Sequence, residues 1–314
     1  MPELLLEIGV EEVPASYIAP AVRELGERLM ALLSELHIAA QGLSTYETPR
    51  RLAVHVAHVA ATQASREVER RGPAVAAAYD AEGRLTQAGR GFLQGAGATE
   101  ADLIRIPGKK GDYLGVRLHE GGGRARDLLA ARLPPLIAGL AFPKAMRWGS
   151  GTWRFARPVH WILALLDGER IPFAVDGVES CTTTQAHRFL APEPVTVTGR
   201  EGYLATLRAG SVEPDPAARA AAIRGRAEAL GAAAGGRTVV DDDLLDEVAH
   251  LVEHPGCVLG RFDADFLAVP REVLVTSMAK NQRYFPVEDG DGRLLPAFVA
   301  VTNSPETAAE NVRA

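Results

Sequence analysis

The pattern of apolar and polar positions predicts that the chain begins with strand, helix and strand. Residues 4–8 form a short apolar run, which indicates a buried strand. Residues 16–36 place apolar side chains at helical spacing, and residues 52–59 show the alternation of a half-buried strand. On that second strand we expect His55 and His58 to lie on the solvent side. The segment in between, residues 42–47, is also predicted to be a strand.

The rest of the chain predicts several hairpins and helices. Turns are expected at residues 66–73 and 80–83, and Asp167-Gly168 predicts a hairpin turn. Three aspartates, residues 241–243, indicate capping of the helix that follows them. Further strands are predicted at residues 103–106, 113–119, 159–166, 171–175, 192–198 and 294–301, a loop or short strand at 262–267, and helices at 85–93, 126–140 (interrupted by Pro134-Pro135), 217–230 and 270–278.

The irregular alternation of strands and helices predicts an α+β fold. We expect mixed or antiparallel sheets with packed helices, in a body of several lobes. The glycine-rich run 231–236 is the best linker candidate, although it has only the length of a loop. We divide the chain into an amino-terminal α+β body, residues 1–200, and a second α+β region, residues 201–314, with an approximate boundary. The polar tail, residues 303–314, has no closing signal, so we expect the native chain to continue.

Composition restricts the classes of function. Of 314 residues, 47% are hydrophobic and 24% are charged, which is typical of a soluble protein with a sizeable core. The net charge is −6, so any binding of nucleic acid must depend on local basic patches. Cys181 and Cys257 are far apart in sequence, which fits a reducing compartment and two buried thiols. The acidic amino terminus and the lack of a long apolar run predict a cytoplasmic protein without a membrane span.

One short motif predicts metal chemistry. His250, Glu253 and His254 fit H-x-x-E-H, in which two histidines on one helix face bind zinc and the glutamate acts as base. Pro255 follows at once, and no third ligand is specified. A motif with three fixed positions also matches easily by chance. A zinc hydrolase therefore stays a minor alternative.

Basic residues stand beside aromatic residues at several places. Cations interleaved with flat rings suit a surface that grips phosphates and stacks on bases. The alternative is a buried aromatic cluster covered by arginine stems. The clusters are Arg50-Arg51 after Thr48-Pro49, then Lys144, Arg147 and Arg157 around Trp148, Trp153 and Trp161, then His187-Arg188 before Phe189, and finally Lys280, Gln282 and Arg283 before Tyr284. If the clusters converge, they form one basic face.

Eight segments in a fixed order make up the most specific signal in the chain. They are LLLEIGVEEVP (4–14), TPRRLAV (48–54), RRGPAVAAAYDAEG (70–83), FPKAMRWG (142–149), FARPVHWI (155–162), HRFL (187–190), FLAVPREVL (266–274) and QRYFPV (282–287). In these segments the chain resembles the amino-terminal part of the β subunit of the bacterial heterotetrameric glycyl-tRNA synthetase. It departs from the family pattern at Ala186, where glycine usually stands, and at His254, where tryptophan is frequent.

The resemblance implies a subunit of an enzyme that joins glycine to its tRNA using ATP. It implies that the α subunit carries the adenylate chemistry and binds ATP and Mg²⁺, in an assembly of two α and two β subunits. The β subunit would handle tRNA and continue into an HD-type region and an anticodon-binding domain. No catalytic residue and no metal ligand carries over to this chain. A protein-binding scaffold without RNA contact is the alternative. The expected tRNA-binding residues are Arg50, Arg51, Lys144, Arg147, Trp148, Arg157, Arg188, Lys280, Arg283 and Tyr284.

Overall fold

A computed structural model describes residues 2–108 and 111–305 of the chain. Within these ranges the protein has eighteen strands in several sheets, so the expected α+β class is confirmed. The strands are β1 (Leu4–Val10), β2 (Ala40–Thr48), β3 (Arg51–Val59), β4 (Arg66–Ala74), β5 (Leu103–Ile106), β6 (Tyr113–Glu120), β7 (Met146–Arg147), β8 (Arg154–Phe155), β9 (Val159–Leu166), β10 (Glu169–Arg170), β11 (Ala174–Val175), β12 (Val178–Cys181), β13 (Thr183–Gln185), β14 (Pro194–Thr196), β15 (Arg237–Thr238), β16 (Gly256–Arg261), β17 (Tyr284–Glu288) and β18 (Leu294–Thr302).

Eight helices accompany these strands in the described ranges. They are α1 (Ala15–Glu35), α2 (Val75–Ala78), α3 (Gln87–Ala96), α4 (Ala125–Ala138), α5 (Arg200–Ala209), α6 (Pro216–Ala233), α7 (Asp242–Ala249) and α8 (Arg271–Thr276). Short 3₁₀ turns occupy Glu100–Asp102 and Ala264–Ala268, and a π-helical turn occupies Ser277–Gln282. Within the described part of the chain, no helix is both long enough and apolar enough to cross a membrane.

A seven-stranded mixed sheet forms the centre of the protein. Its order is β11-β12-β9-β1-β3-β2, with β10 paired to β9, and β12 runs parallel to β9. Strand β1 lies between β9 and β3, and every one of its residues is buried. Leu4, Leu6 and Ile8 pack with α1 and α4, whereas Leu5 packs with α5 on the other face. Since successive strand residues face opposite ways, Glu7 shares the face of Leu5.

Smaller sheets surround this centre. An antiparallel sheet of order β15-β17-β18-β16 packs with α6 and α7 around its own core. The sheet β4-β6-β5 packs with α2 and α3. The hairpins β7-β8 and β13-β14 lie outside the larger sheets.

Several local predictions are confirmed. Strands β1, β2, β3, β9 and β18 and helices α1, α3 and α6 lie where the pattern placed them, within a few residues. Asp167 and Gly168 have φ values of 53° and 76°, as the predicted hairpin turn requires. The Asp241 side chain accepts a hydrogen bond from the Leu244 N–H and caps α7. The strands predicted at residues 103–106 and 113–119 are present as β5 and β6, which pair antiparallel, although Lys109-Lys110 and the tail from residue 306 lie outside the described residues.

Other predictions are wrong for reasons of tertiary packing. His55 is buried, because it pairs with Leu5 and therefore faces α5, and its Nε2 lies 2.9 Å from Glu3 Oε2. Residues 66–73 belong to β4, which pairs along β6, and do not form a turn. The two prolines do not interrupt α4, because its apolar stripe is anchored in the core around α1. Cys181 is only half-buried, whereas Cys257 is buried as expected.

The predicted boundary between two domains near residue 200 stays a prediction. Helix α5 begins at that point and packs its Tyr203 and Leu207 on the large sheet. The predicted helix at residues 270–278 is shorter than expected, since α8 ends at Thr276 and continues as the π-helical turn.

Candidate nucleic-acid interface

A fully buried glutamate on β1 holds four different elements together. Glu7 Oε2 accepts hydrogen bonds from Arg51 Nη1 at 3.2 Å and from the Tyr203 hydroxyl at 2.5 Å. Its Oε1 accepts from the Thr184 hydroxyl at 2.7 Å and from Trp161 Nε1. A carboxylate that is removed from water needs such donors on both oxygens. The cost of burying this charge is thereby offset, and β3, β9, β13 and α5 are fixed around β1.

Arg51 is a predicted tRNA contact that the structure places entirely inside the protein. Its side chain is 0% exposed, and its Nη2 donates to Glu253 Oε1 at 3.0 Å and to the Gln185 carbonyl at 2.9 Å. Its Nε donates to the Thr48 hydroxyl at 3.1 Å. Burial opposes the charged form, but the charges of Glu253 and Glu7 raise the pKa of Arg51. We therefore correct its role, because this guanidinium is enclosed and cannot reach a phosphate.

The H-x-x-E-H motif has a structural role that differs from the zinc hypothesis. Helix α7 ends at Ala249, so the motif does not lie on one helix face. His250 Nε2 lies 3.2 Å from Glu47 Oε1, while Glu253 binds Arg51. The pKa of Glu253 is lowered, because Arg51 and neighbouring donors outweigh the opposing effect of burial. The zinc geometry is thus wrong, since the histidine and the glutamate point to different partners.

A second buried arginine was missed by sequence reasoning. Arg219 Nη1 donates to the carbonyl oxygens of Glu47 at 2.7 Å and Glu213 at 2.8 Å, and its Nε donates to that of Ala249 at 2.8 Å. Burial lowers the pKa of Arg219 to about 10, although Glu47 partly opposes this. Its burial could have been predicted from helical spacing. Arg219 stands four residues before the core residue Ile223 on α6, so both side chains lie on the same face of the helix.

Three predicted tRNA-binding arginines converge on the turn that follows β1. We call Arg50, Arg157 and Arg188 the arginine cluster. Arg188 Nη2 donates to Glu11 Oε1, and its Nη1 lies 3.9 Å from Glu12 Oε1. Arg157 Nε donates to the Glu12 carbonyl at 3.0 Å. Arg50 lies next to this turn, because its backbone carbonyl accepts the Val10 N–H at 2.8 Å at the end of β1, but its guanidinium faces Glu253.

Carboxylates lie close to two of the three arginines in the cluster. Arg188 pairs with Glu11 and lies near Glu12. Arg50 is only 6% exposed, and its Nη1 lies 3.7 Å from Glu253 Oε2. Burial lowers the pKa of Arg50, and the adjacent charge of Arg188 adds to this effect, whereas Glu253 opposes it. Arg157 and Arg188 are half-buried and more accessible, so they are the members best placed to meet a phosphate.

An exposed phenylalanine stands beside Arg188. Phe189 is 80% exposed, and the Arg188 guanidinium carbon lies 5.9 Å from its ring centroid. The neighbouring His187 is buried, and its Nδ1 accepts hydrogen bonds from the backbone N–H groups of Phe189 at 3.4 Å and Leu190 at 3.3 Å. Sequence reasoning noted this ring next to His187-Arg188 but did not choose it as a site residue.

The other predicted tRNA contacts lie on two further elements. Lys144 and Arg147 are exposed at the hairpin β7-β8, where Trp148 Nε1 donates to the Phe155 carbonyl at 3.2 Å. Because Trp148 packs in this way, it acts first as a support for the hairpin. Its availability for stacking is limited, since its ring lines a small pocket together with Trp153.

The last three predicted contacts surround the π-helical turn. Lys280 is exposed, and Arg283 has φ 55° and donates from Nε to Glu247 Oε1 at 2.9 Å. Tyr284 stacks on Phe298 with a centroid distance of 4.4 Å and an interplanar angle of 9°. Of the ten predicted residues, four therefore gather near the turn after β1, counting the enclosed Arg51. Whether the accessible residues contact tRNA stays a prediction.

Apolar side chains are exposed next to the π-helical turn. Phe266 is 56% exposed and Val273 is 57% exposed, and Leu267 and Val269 lie between them. Phe266 also lines a groove of about 260 Å³ with an almost wholly apolar wall, which includes Tyr284. We call Phe266, Leu267, Val269 and Val273 the apolar patch. An exposed patch of this kind is typical of a contact surface for another protein.

The family model and the related proteins that match this chain have the same description. A family model described as glycyl-tRNA synthetase beta subunit matches residues 4–314. The glycine–tRNA ligase beta subunit of Syntrophus aciditrophicus is 42% identical over 302 residues, which is 96% of this chain and 44% of that protein. The protein of that name from Bacillus subtilis is 43% identical over 310 residues, which is 99% of this chain and 45% of that protein.

These matches first define a class, the aminoacyl-tRNA synthetases, which are ligases of protein biosynthesis. Within that class, the chain belongs to the glycyl-tRNA synthetase beta subunit family. The chain spans less than half the length of these curated relatives. The resemblance seen in the eight ordered segments is thereby confirmed.

Proposed function

We propose that this chain is a tRNA-binding part of the β subunit of glycine–tRNA ligase and supports the ATP-dependent attachment of glycine to its tRNA. The observation that carries the proposal is the convergence of separate family segments. Residues 4–14 supply the turn after β1, and residues 48–54, 155–162 and 187–190 supply the three arginines around it. Arginines that are brought together from distant segments, on a chain of net charge −6, support a specific contact with phosphates.

In this proposal the chemistry is divided between subunits. The α subunit binds ATP and Mg²⁺ and forms the aminoacyl-adenylate, while this chain positions tRNA and contacts α. The assembly contains two α and two β subunits and acts in the cytoplasm. The description of the relatives as beta subunits supports a partner subunit. The purified chain alone should show no glycine-dependent ATP–pyrophosphate exchange, and robust exchange by this chain alone would contradict the division.

The binding of tRNA is tested through its salt dependence. The affinity of the chain for a glycine tRNA transcript should fall linearly on a plot of log affinity against log salt concentration. Each phosphate contact contributes about 0.7 to 0.9 to the slope. Arg157→Gln and Arg188→Gln should each reduce the slope by about one contact. Arg117→Gln is the matched control, because Arg117 is exposed on β6, far along the chain from the cluster, and pairs with Glu69.

A second candidate function rests on the apolar patch. Phe266 and Val273 are more than half exposed, and a surface of this kind favours a scaffold that binds protein. The partner would be another subunit of the same assembly, consistent with the names of the relatives. If tRNA binding is absent or does not respond to salt, the scaffold is the better description.

A further inference from the structure

We propose that Phe189 is a stacking platform for an unpaired base of the bound RNA, with Arg188 and Arg157 contacting the phosphates beside that base. The inference rests on the proposed function, which it extends from phosphate binding to a contact with a base. The ligand class is single-stranded RNA, such as an unpaired end or loop of a tRNA. Stacking on aromatic rings is the usual way in which proteins hold splayed bases.

The first support is the exposure of the ring. A phenylalanine that is 80% exposed contributes little to the core, although the chain shortly before it is well packed. Ala186 and His187 are buried, and the His187 N–H donates to the Gly210 carbonyl at 3.1 Å. The chain is therefore anchored immediately before the ring, and Phe189 itself projects into solvent.

The second support is the fixed conformation of the turn that presents the ring. His187 Nδ1 accepts the N–H groups of Phe189 and Leu190, and the His187 carbonyl accepts the Ala191 N–H at 2.9 Å. These bonds hold the turn independently of any ligand. Because little conformational freedom is then lost on binding, a preformed aromatic surface favours association.

The third support is the charge around the ring. The Arg188 guanidinium lies 5.9 Å from the ring centroid and is oriented by its ion pair with Glu11. Arg157 is held at the same turn by the Glu12 carbonyl. Phosphates beside a stacked base need cations nearby; Arg188 lies next to the ring, and Arg157 is held at the turn to which Arg188 is bound.

Observations at this site favour RNA over a protein partner. Anchors of protein interfaces usually fill packed pockets, with a broad apolar surface around them. Such a surface exists at the apolar patch, whereas Phe189 stands on a turn with the Arg188 guanidinium beside its ring. Leu190, which is also exposed, is the feature that a protein partner would use instead.

The experiment compares Phe189→Ala, Phe189→Trp and the control Leu190→Ala in the full chain. Phe189 and Leu190 are both exposed, so all three variants should unfold at the parental urea midpoint. The probes are a glycine tRNA transcript, a fluorescein-labelled RNA hexamer of adenosines and a blunt RNA duplex. Affinities are measured at several salt concentrations.

We expect Phe189→Ala to weaken binding of the hexamer and of the tRNA by about 5-fold to 150-fold, the range for one stacked base. The salt slope should not change, because the lost contact is uncharged. Phe189→Trp should retain the parental affinity. Leu190→Ala removes an apolar side chain of the same turn but no ring, so it should bind both probes like the parent. The blunt duplex, which has no unpaired base, should bind the parent and Phe189→Ala equally.

Distinct outcomes separate this inference from the proposed function. Parental affinity of Phe189→Ala for the hexamer and the tRNA, with a normal salt response, would overturn the stacking role and leave the phosphate site intact. Absence of salt-dependent tRNA binding by the parent would overturn both. If Phe189→Ala keeps its RNA affinity but no longer associates with the α subunit, Phe189 belongs to a protein interface and the inference fails.

Discussion

Arg51 Nη2 and Glu253 Oε1 lie 3.0 Å apart in the interior, although the two residues are separated by 202 positions in the sequence. The pair joins the start of β3 to the segment after α7, and Glu7 binds the same guanidinium at 3.2 Å. A buried ion pair is not in itself strong support for stability, because both charges lose their hydration. It does make the structure sensitive to the loss of one partner.

Arg51→Met should be strongly destabilising. Without the guanidinium, Glu7 and Glu253 become buried carboxylates near each other, and the free energy of unfolding at pH 7 should fall by about 3 to 5 kcal/mol. Glu253→Gln should cost less, because Arg51 keeps its bond to Glu7. Urea denaturation of the parent and both variants measures which substitution loses more unfolding free energy. Arg117→Met is the control, since that side chain is exposed, and it should leave the midpoint nearly unchanged.

The effect of Arg51→Met should also depend on pH. The pKa of Glu253 is lowered in the folded protein, so its contribution to stability is present above its unfolded pKa. This contribution is lost as the pH falls through the folded pKa. The difference between parent and Arg51→Met should therefore shrink on acidification, when carboxylates without a partner can bind protons. An equal difference at pH 7 and pH 4 would contradict this account.

Gly9→Ala should destabilise the centre of the large sheet. Gly9 is paired with Trp161, and a Cβ at residue 9 would overlap the Trp161 indole ring. Overpacking of this kind costs about 1 to 3 kcal/mol. Thermal or urea unfolding measures the loss, and Trp161→Leu in the same chain should relieve part of it. Gly91→Ala is the control, because residue 91 lies on α3 with no atom near the added Cβ, and it should be neutral or stabilising.

The fold was predictable wherever a local pattern agreed with its surroundings. The apolar run of β1 and the helical spacing of α1 give both elements, because each buries one continuous face. The local pattern failed at His55. This residue lies on the face of the sheet that is covered by α5, and α5 is far away in the sequence. It failed again at β4, whose charged residues form a strand because β6 provides the backbone partners.

The residue types of the site were predictable from the sequence, but the roles of the individual residues were not. The pair Arg50-Arg51 after Pro49 suggested phosphate binding, yet Arg51 points inward to a carboxylate supplied by β1. The signal for that partner was Glu7 itself, an acid within an apolar run. Local sequence does not reveal that these two adjacent arginines are buried, because the groups that enclose them, Thr184 and Glu253, come from distant segments.

His250 should stabilise the protein more at acidic than at alkaline pH. The Glu47 carboxylate, together with the Asp246 carbonyl and charge, raises the pKa of His250, while burial and the Arg219 charge oppose the increase. For a raised pKa, the contribution is fully present below the unfolded value and is lost as the pH rises through the folded value. The difference in unfolding free energy between the parent and His250→Gln should therefore be larger at pH 5.5 than at pH 8.5.

A double variant checks the source of this pH dependence. In a Glu47→Gln background, the largest cause of the raised pKa is removed. The effect of His250→Gln should then vary much less between the two pH values. If the variation is unchanged in this background, the bond between His250 Nε2 and Glu47 Oε1 is not its cause.

Charge placed on the apolar patch should weaken association with the α subunit. Phe266→Asp and Val273→Asp each put a carboxylate on a side chain that is more than half exposed, so folding should be preserved. If the patch is covered by α, the buried charge should lower the affinity for α by about 10-fold or more, as expected for loss of an anchor residue. Phe189→Asp is the matched control, because it makes the same change beside the arginine cluster. It should reduce RNA affinity and leave association with α unchanged, as measured by sedimentation of the mixed subunits. Parental association by both patch variants would show that α binds elsewhere and that the exposure of Phe266 needs another explanation.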